Sequence, residues 1–181
     1  MITLIQLTEA EAIQALDYAK IRQSESRGLK NAHGLVWQGE AEDEFRQWLG
    51  VAGEMVLAKF SGQPYEFLVN VFKAPDLYIG GVPIQVKCSD HNRNLIIRQD
   101  AKDDEVYVLV NYKGIVDSFY REMYNFEILG FIRPRHARLL ADCDPSMWRD
   151  PPQRVNDQAV ARHAPAIFVP ESLLDPVEGL L

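Results

Sequence analysis

A chain of 181 residues with 47% hydrophobic, 25% charged and 10% aromatic side chains has the make-up of a folded globular domain, which excludes long disorder, collagen-like repeats and coiled coil. Twenty-six acidic against 19 basic residues give a net charge of −7, which disfavours non-specific coating of nucleic acid and leaves room only for a local basic cleft. The longest apolar run, Val106 to Val110, falls far short of the roughly 20 residues of a membrane-spanning helix, so no membrane partner is expected.

The start, Met1 to Gln6, has neither a basic leader nor a small-residue cleavage site, and Cys88 and Cys143 stand far apart. Reduced thiols and a cytoplasmic location are the corresponding expectations. Thr8 and Glu11 have capping-box spacing, and Ala12, Leu16 and Ala19 then share a helical face up to about Ile21. Residues 22 to 39 carry Arg22, Arg27, Lys30 and His33 without periodicity and read as a basic loop. Glu40 to Phe60 reads as a long helix with the stripe Phe45, Trp48, Leu49, Ala52 and Val56. Val51, Met55 and Ala58 on its other side imply enclosure nearly all round, and Glu54 sits inside that stretch.

Beyond Pro64 the pattern changes to period two, predicting strands over Phe67–Phe72, Asp76–Ile79, Val82–Cys88, Glu105–Asn111 and Tyr124–Ile132, with a shorter one over Leu95–Arg98. Pro134 opens a short helix through Leu140, and a last strand is expected near Ala166–Val169. Helices first and strands afterwards imply an α/β protein of the α+β kind, a mixed central sheet of four to six strands flanked by helices. Residues 1–181 read as one domain, with the proline-rich 145–181 as an arm packed on it.

Gly80-Gly81 between two alternating runs is the signal of a two-residue hairpin turn. Counting outward pairs Ile79 with Val82, Tyr78 with Pro83, Leu77 with Ile84 and Asp76 with Gln85, and opposed residues share a face. Lys87 joins Gln85 on that face, whereas Leu77, Ile79, Val82, Ile84, Val86 and Cys88 point the other way. A carboxylate, an amide oxygen and an ammonium group together suit Mg²⁺, a hard cation that takes oxygen ligands and keeps several waters. Such an ion activates water against a phosphodiester while the lysine orients it. The plainer alternative is the solvated face of an amphipathic hairpin. Glu54 weighs against it: the helix-interior Gly50 and Gly53 cost roughly 1 kcal/mol each relative to alanine and imply close helix-to-sheet approach, and an enclosed carboxylate needs a partner.

The helix bearing Glu54, the entry Pro75-Asp76, the hairpin and Gln85-Val86-Lys87 together resemble the PD-(D/E)XK nuclease superfamily, whose folds are restriction-endonuclease-like. The resemblance covers about residues 40 to 111. It implies a Mg²⁺-dependent hydrolase, with Mn²⁺ as substitute, that cuts DNA and less often RNA. It implies catalytic roles for Glu54, Asp76, Gln85 and Lys87. Asp76 would be the central metal ligand, Gln85 and the Val86 carbonyl would complete the protein contacts, and Glu54 would be a further ligand or a water-positioning group. Gln85 stands where the family usually has an acid, a neutral ligand that attracts a hard cation less and weakens a two-metal mechanism.

Candidate nucleic-acid contacts are His91 and Arg93, just beyond the lysine strand, and the basic cluster Arg133, Arg135 and Arg138; Arg22, Arg27 and Lys30 form a second cluster. Surface ion pairing is the competing account of each. Cys88, His91, His136 and Cys143 include zinc-compatible types without finger spacing. Trp48 at helical spacing reads as core, while Trp37 and Trp148 are left as base-stacking candidates. The alternatives to an active nuclease are a catalytically inactive protein of the same fold that binds nucleic acid or a protein partner, and an assembly protein docking through its C-terminal arm. A homodimer is compatible with all three.

Overall fold

In the computed structural model, residues 3–28, 40–67, 74–91, 93–118, 121–149 and 165–181 are described. Alternation of exposed Leu4 and Gln6 with Ile5 and buried Leu7 makes Thr3–Thr8 strand β1, an addition to the strands foreseen from the sequence. The capping box forms as its spacing dictates. The Thr8 amide donates to Glu11 Oε2 at 2.7 Å and the Glu11 amide to Thr8 Oγ1 at 3.3 Å, opening helix α1, Glu9–Gly28. The helix therefore runs past Ile21, and Arg22 is helical rather than part of a loop. Apolar periodicity ends there because an ion pair to the next helix takes over from apolar contact. Lys30, His33 and Trp37 lie outside the described residues.

Helix α2, Glu40–Phe60, has the predicted bounds, and Val51 to Ala58 are buried without exception. Gly53 is where it presses on the sheet: a Cβ there would stand 2.7 Å from Cys88 Cβ. Trp48 is core, its indole donating to the Ala12 carbonyl at 3.1 Å. From Leu68 on, the strand expected over Phe67–Phe72 lies outside the described residues.

Strands β2 (Leu77–Ile79) and β3 (Val82–Ser89) pair in the counted register, Leu77 with Ile84, Tyr78 with Pro83 and Ile79 with Val82. Gly80 and Gly81 have φ of 57° and 81°, the positive values that a tight hairpin turn requires of both central residues. β3 lies parallel to β5 (Val106–Ser118), which runs antiparallel to β6 (Arg121–Ile132), and β6 pairs antiparallel with β1. The mixed five-stranded sheet has the order β1-β6-β5-β3-β2, so the fold is α+β as expected.

One face packs on α1 and α2 through Leu7, Ile84, Val86, Val108, Phe126 and Ile128. The opposite face, through Tyr107, Leu109 and Ile132, meets a second core formed by α3 (Pro134–Cys143) and the sheet β4-β8-β7. Its strands are β4 (Asn94–Arg98), β7 (Trp148–Arg149) and β8 (Ala166–Pro170). After β8 the chain returns to the first sheet. Phe131 and Asp175 exchange backbone hydrogen bonds at 2.9 and 2.8 Å, and Val177 is buried in the first core. Among the described residues no helix is long and apolar enough to cross a membrane.

Candidate active site

Strand β2 begins one residue after Asp76, yet the Asp76 amide still donates to the Ile84 carbonyl at 2.9 Å. Its carboxylate Oδ2 then accepts the Val86 amide at 2.7 Å. That amide points toward the β2 side of β3 where β2 has not yet begun, so the Asp76 side chain takes the place of the missing strand neighbour. Burial pushes the Asp76 carboxyl up to about 6, with the negative Glu54 adding to the rise, against the opposing influence of Lys87, the Val86 amide and Arg22. The acid from the helix and the lysine are thus each within electrostatic reach of Asp76.

Gln85 and Lys87 lie on the face turned away from α2. Lys87 Nζ stands 5.8 Å from the centre of the Tyr107 ring, and both side chains line one cleft with Tyr107. Gln85 Nε2 donates to the Ala74 carbonyl at 3.2 Å rather than to Asp76. The six apolar residues of the hairpin all belong to the helical-side core or pack against it, as the alternation requires.

Glu54, 5% exposed, is held by three hydrogen bonds from two residues. Arg22 Nη1 and Nη2 meet its two oxygens at 2.8 and 3.0 Å, and the Tyr65 hydroxyl donates to Oε2 at 2.7 Å. A two-pronged guanidinium contact of this kind is among the stronger charge-assisted hydrogen bonds. Burial works against the Arg22 charge, but the Glu54 bonds outweigh it and raise the group above its ordinary value. Burial and the Glu54 charge push the Tyr65 hydroxyl up in turn. Both Glu54 oxygens are thus engaged, and its negative charge acts on Asp76.

No known family, curated protein or solved structure matches the chain.

The donor set alone therefore tests whether Mg²⁺ fits. Asp76 is a desolvated carboxylate beside a second acid, conditions that a cation relieves. Gln85 spends its amide nitrogen on Ala74, leaving its oxygen as the acceptor end, and Val86 supplies a backbone carbonyl. Among the described residues no three His, Cys, Asp or Glu side chains gather into a metal cage. Structural zinc, which takes four such ligands, does not fit there, whereas Mg²⁺ is commonly held by one or two carboxylates with water completing its shell. Cys88 agrees with the second point: it packs against Gly53 on the helical side, and burial pushes its thiol up.

The outlying basic candidates divide. Arg93 is paired with Glu171, and Arg138 with Asp103 and the Ala101 carbonyl. Their guanidinium groups tie the C-terminal segment and the turn before β5 to the rest of the fold. His91 is exposed and bonded to Asp90 at 3.1 Å, while Arg133 and Arg135 are exposed at the start of α3. Trp148 is half-buried against the second core. Two residues of the site lie beyond what the hairpin pattern reveals, Arg22 in its role as partner of Glu54, and Tyr65. Ala12, Ala15, Ala19 and Arg22 fall at helical spacing on one face, a signal that would have placed Arg22 inward. Tyr65 carries no such pattern.

Proposed function

We propose that this chain is a Mg²⁺-dependent nuclease of the PD-(D/E)XK type that hydrolyses phosphodiester bonds of DNA. The observation that carries the reading is the Asp76 carboxylate pinned on the Val86 amide at the open end of the β2–β3 hairpin, coupled to both Glu54 and Lys87. Asp76, the Gln85 oxygen and the Val86 carbonyl would hold the ion. When bound, it supplies positive charge against the phosphate and acidifies water. Lys87 then orients the attacking water or offsets negative charge developing on the phosphate. Glu54, fixed by Arg22 and Tyr65, keeps the pocket negative without leaving an acid unpaired.

Incubation of plasmid and of single- and double-stranded oligonucleotides with Mg²⁺ or Mn²⁺ tests this by gel. Cleavage that disappears in Asp76→Ala and Lys87→Ala is the expected result. If no substrate is cut, or if both variants cut like the parent, the enzyme reading fails. A second reading, a non-catalytic protein of the same fold that binds nucleic acid or a protein, is favoured by the saturation of Glu54 and by the neutral Gln85. DNA binding without metal-dependent cleavage, unchanged by Asp76→Ala, distinguishes it.

A further inference from the structure

Lys87 also belongs to a larger feature. A cleft of about 580 Å³ opens on the face of β3 and β5 away from α2, with Gln85, Lys87 and Tyr107 on one wall and Arg98, Asp100 and Lys102 on the other. It shares Gln85 and Lys87 with the proposed site. Its volume lies within the roughly 300–1,000 Å³ of sites that enclose a small ligand. Taken as a cube it is roughly 8 Å on an edge, less than the about 12 Å width of the major groove alone, so a duplex does not enter.

The charges in the cleft are not evenly spent. Lys102 Nζ is 3.4 Å from the buried Glu105, which also accepts the Tyr107 hydroxyl at 3.4 Å. Arg98 is exposed and forms no ion pair among the described residues, and Lys87 rests over the Tyr107 ring, likewise without an ion pair among them. Two cations in one cleft, neither in an ion pair among the described residues, can each take a phosphate oxygen, the contacts that position a backbone. Asp100 offers an acceptor of the kind that takes an exocyclic base amine.

Resting on the nuclease reading above, we infer that this cleft takes an unpaired nucleotide next to the scissile phosphate, which makes single-stranded DNA the substrate class. Lys87 and Arg98 hold its backbone, and the confined walls exclude a paired partner strand.

Fluorescence anisotropy in EDTA, with a labelled single strand of about 12 nucleotides and a blunt duplex of the same sequence, separates binding from cleavage. The expected result is about tenfold tighter binding of the single strand, weakened about five- to tenfold by Arg98→Ala and largely restored by Arg98→Lys, with duplex binding unaffected. Arg98 is a surface residue of β4, and circular dichroism checks that its variants stay folded. Equal or tighter binding of duplex, or single-strand binding indifferent to Arg98→Ala, overturns the inference. Cleavage confined to duplex also overturns it while leaving the nuclease reading intact. Arg98-dependent single-strand binding with no cleavage in Mg²⁺ supports the cleft's occupant and removes the nuclease reading.

Discussion

Replacing Asp76 by asparagine removes a charge that the fold holds at a cost. The carboxyl is raised from 3.8 to about 6 by burial and by Glu54. Two units at about 1.36 kcal/mol each set a ceiling near 3 kcal/mol. The residue is half-buried, so solvent screening brings the working figure to about 1–2 kcal/mol. The folded state holds this proton more tightly than the unfolded state does. Below about pH 4 the group is protonated in both states and costs nothing, through the window from about 4 to 6 stability falls as pH rises, and above about 6 the cost is constant. The amide side chain of the variant keeps an oxygen for the Val86 N–H. Asp76→Asn should therefore be more stable than the parent by about 1–2 kcal/mol near pH 7, roughly 2–8 °C in Tm, with the difference vanishing toward pH 4. Urea titrations of both proteins across this range measure it. Added Mg²⁺ should stabilise the parent and leave the variant unmoved, because only the parent offers the charged ligand. A variant less stable than the parent near neutral pH, or a difference that does not change across the window, would show that burial and repulsion do not govern this carboxyl.

Three further outcomes follow from the same geometry. Gly53→Ala drives a Cβ to 2.7 Å from Cys88 Cβ and should destabilise by about 1–2 kcal/mol net of helix propensity, whereas Gly50→Ala, with nothing within 4 Å, should stabilise by about 1 kcal/mol; paired urea curves read the opposite signs. Arg22→Ala strands the Glu54 charge and should lose about 3–5 kcal/mol, while the double replacement Arg22→Met with Glu54→Gln should cost clearly less, as a double-mutant cycle measures. Lys87→Ala, at an exposed position, should change stability by no more than about 0.5 kcal/mol while abolishing cleavage, a separation visible when melting and gel assays are run on one preparation.

What was legible from residues alone was the local geometry. Gly80-Gly81 between alternating strands determined the pairs Leu77–Ile84, Tyr78–Pro83 and Ile79–Val82, because turn length and the two-residue period leave little freedom once both are read, whereas the fourth counted pair, Asp76 with Gln85, is not part of the ladder. The α2 bounds and the inwardness of Glu54 followed from its apolar surroundings. What could not be read was the long-range pairing that completes the site. The Arg22–Glu54 contact joins residues 32 apart, and Tyr65 reaches Glu54 from beyond the end of α2. Helical spacing turns Arg22 inward without naming Glu54 as its partner, and Tyr65 lies outside any periodic run. β1 was hidden for a related reason: its exposed Leu4 blurs the alternation that its buried Leu7 would otherwise announce. The ties of Arg93 and Arg138 depend on partners 78 and 35 positions away. A count of local basic residues therefore does not reveal which of them are paired.

The return of the chain after β8 has a consequence for biosynthesis. A nascent polypeptide that already holds all five strands of the main sheet still lacks β8, which joins β4 to β7, and Val177, which fills a place beside α1 and α2. Until residues 166–177 leave the ribosome, Leu95 and Ile97 remain uncovered and Phe131 has no Asp175 to bond. Closure of both layers is thus a late step, open only once the segment beyond the main sheet has been made.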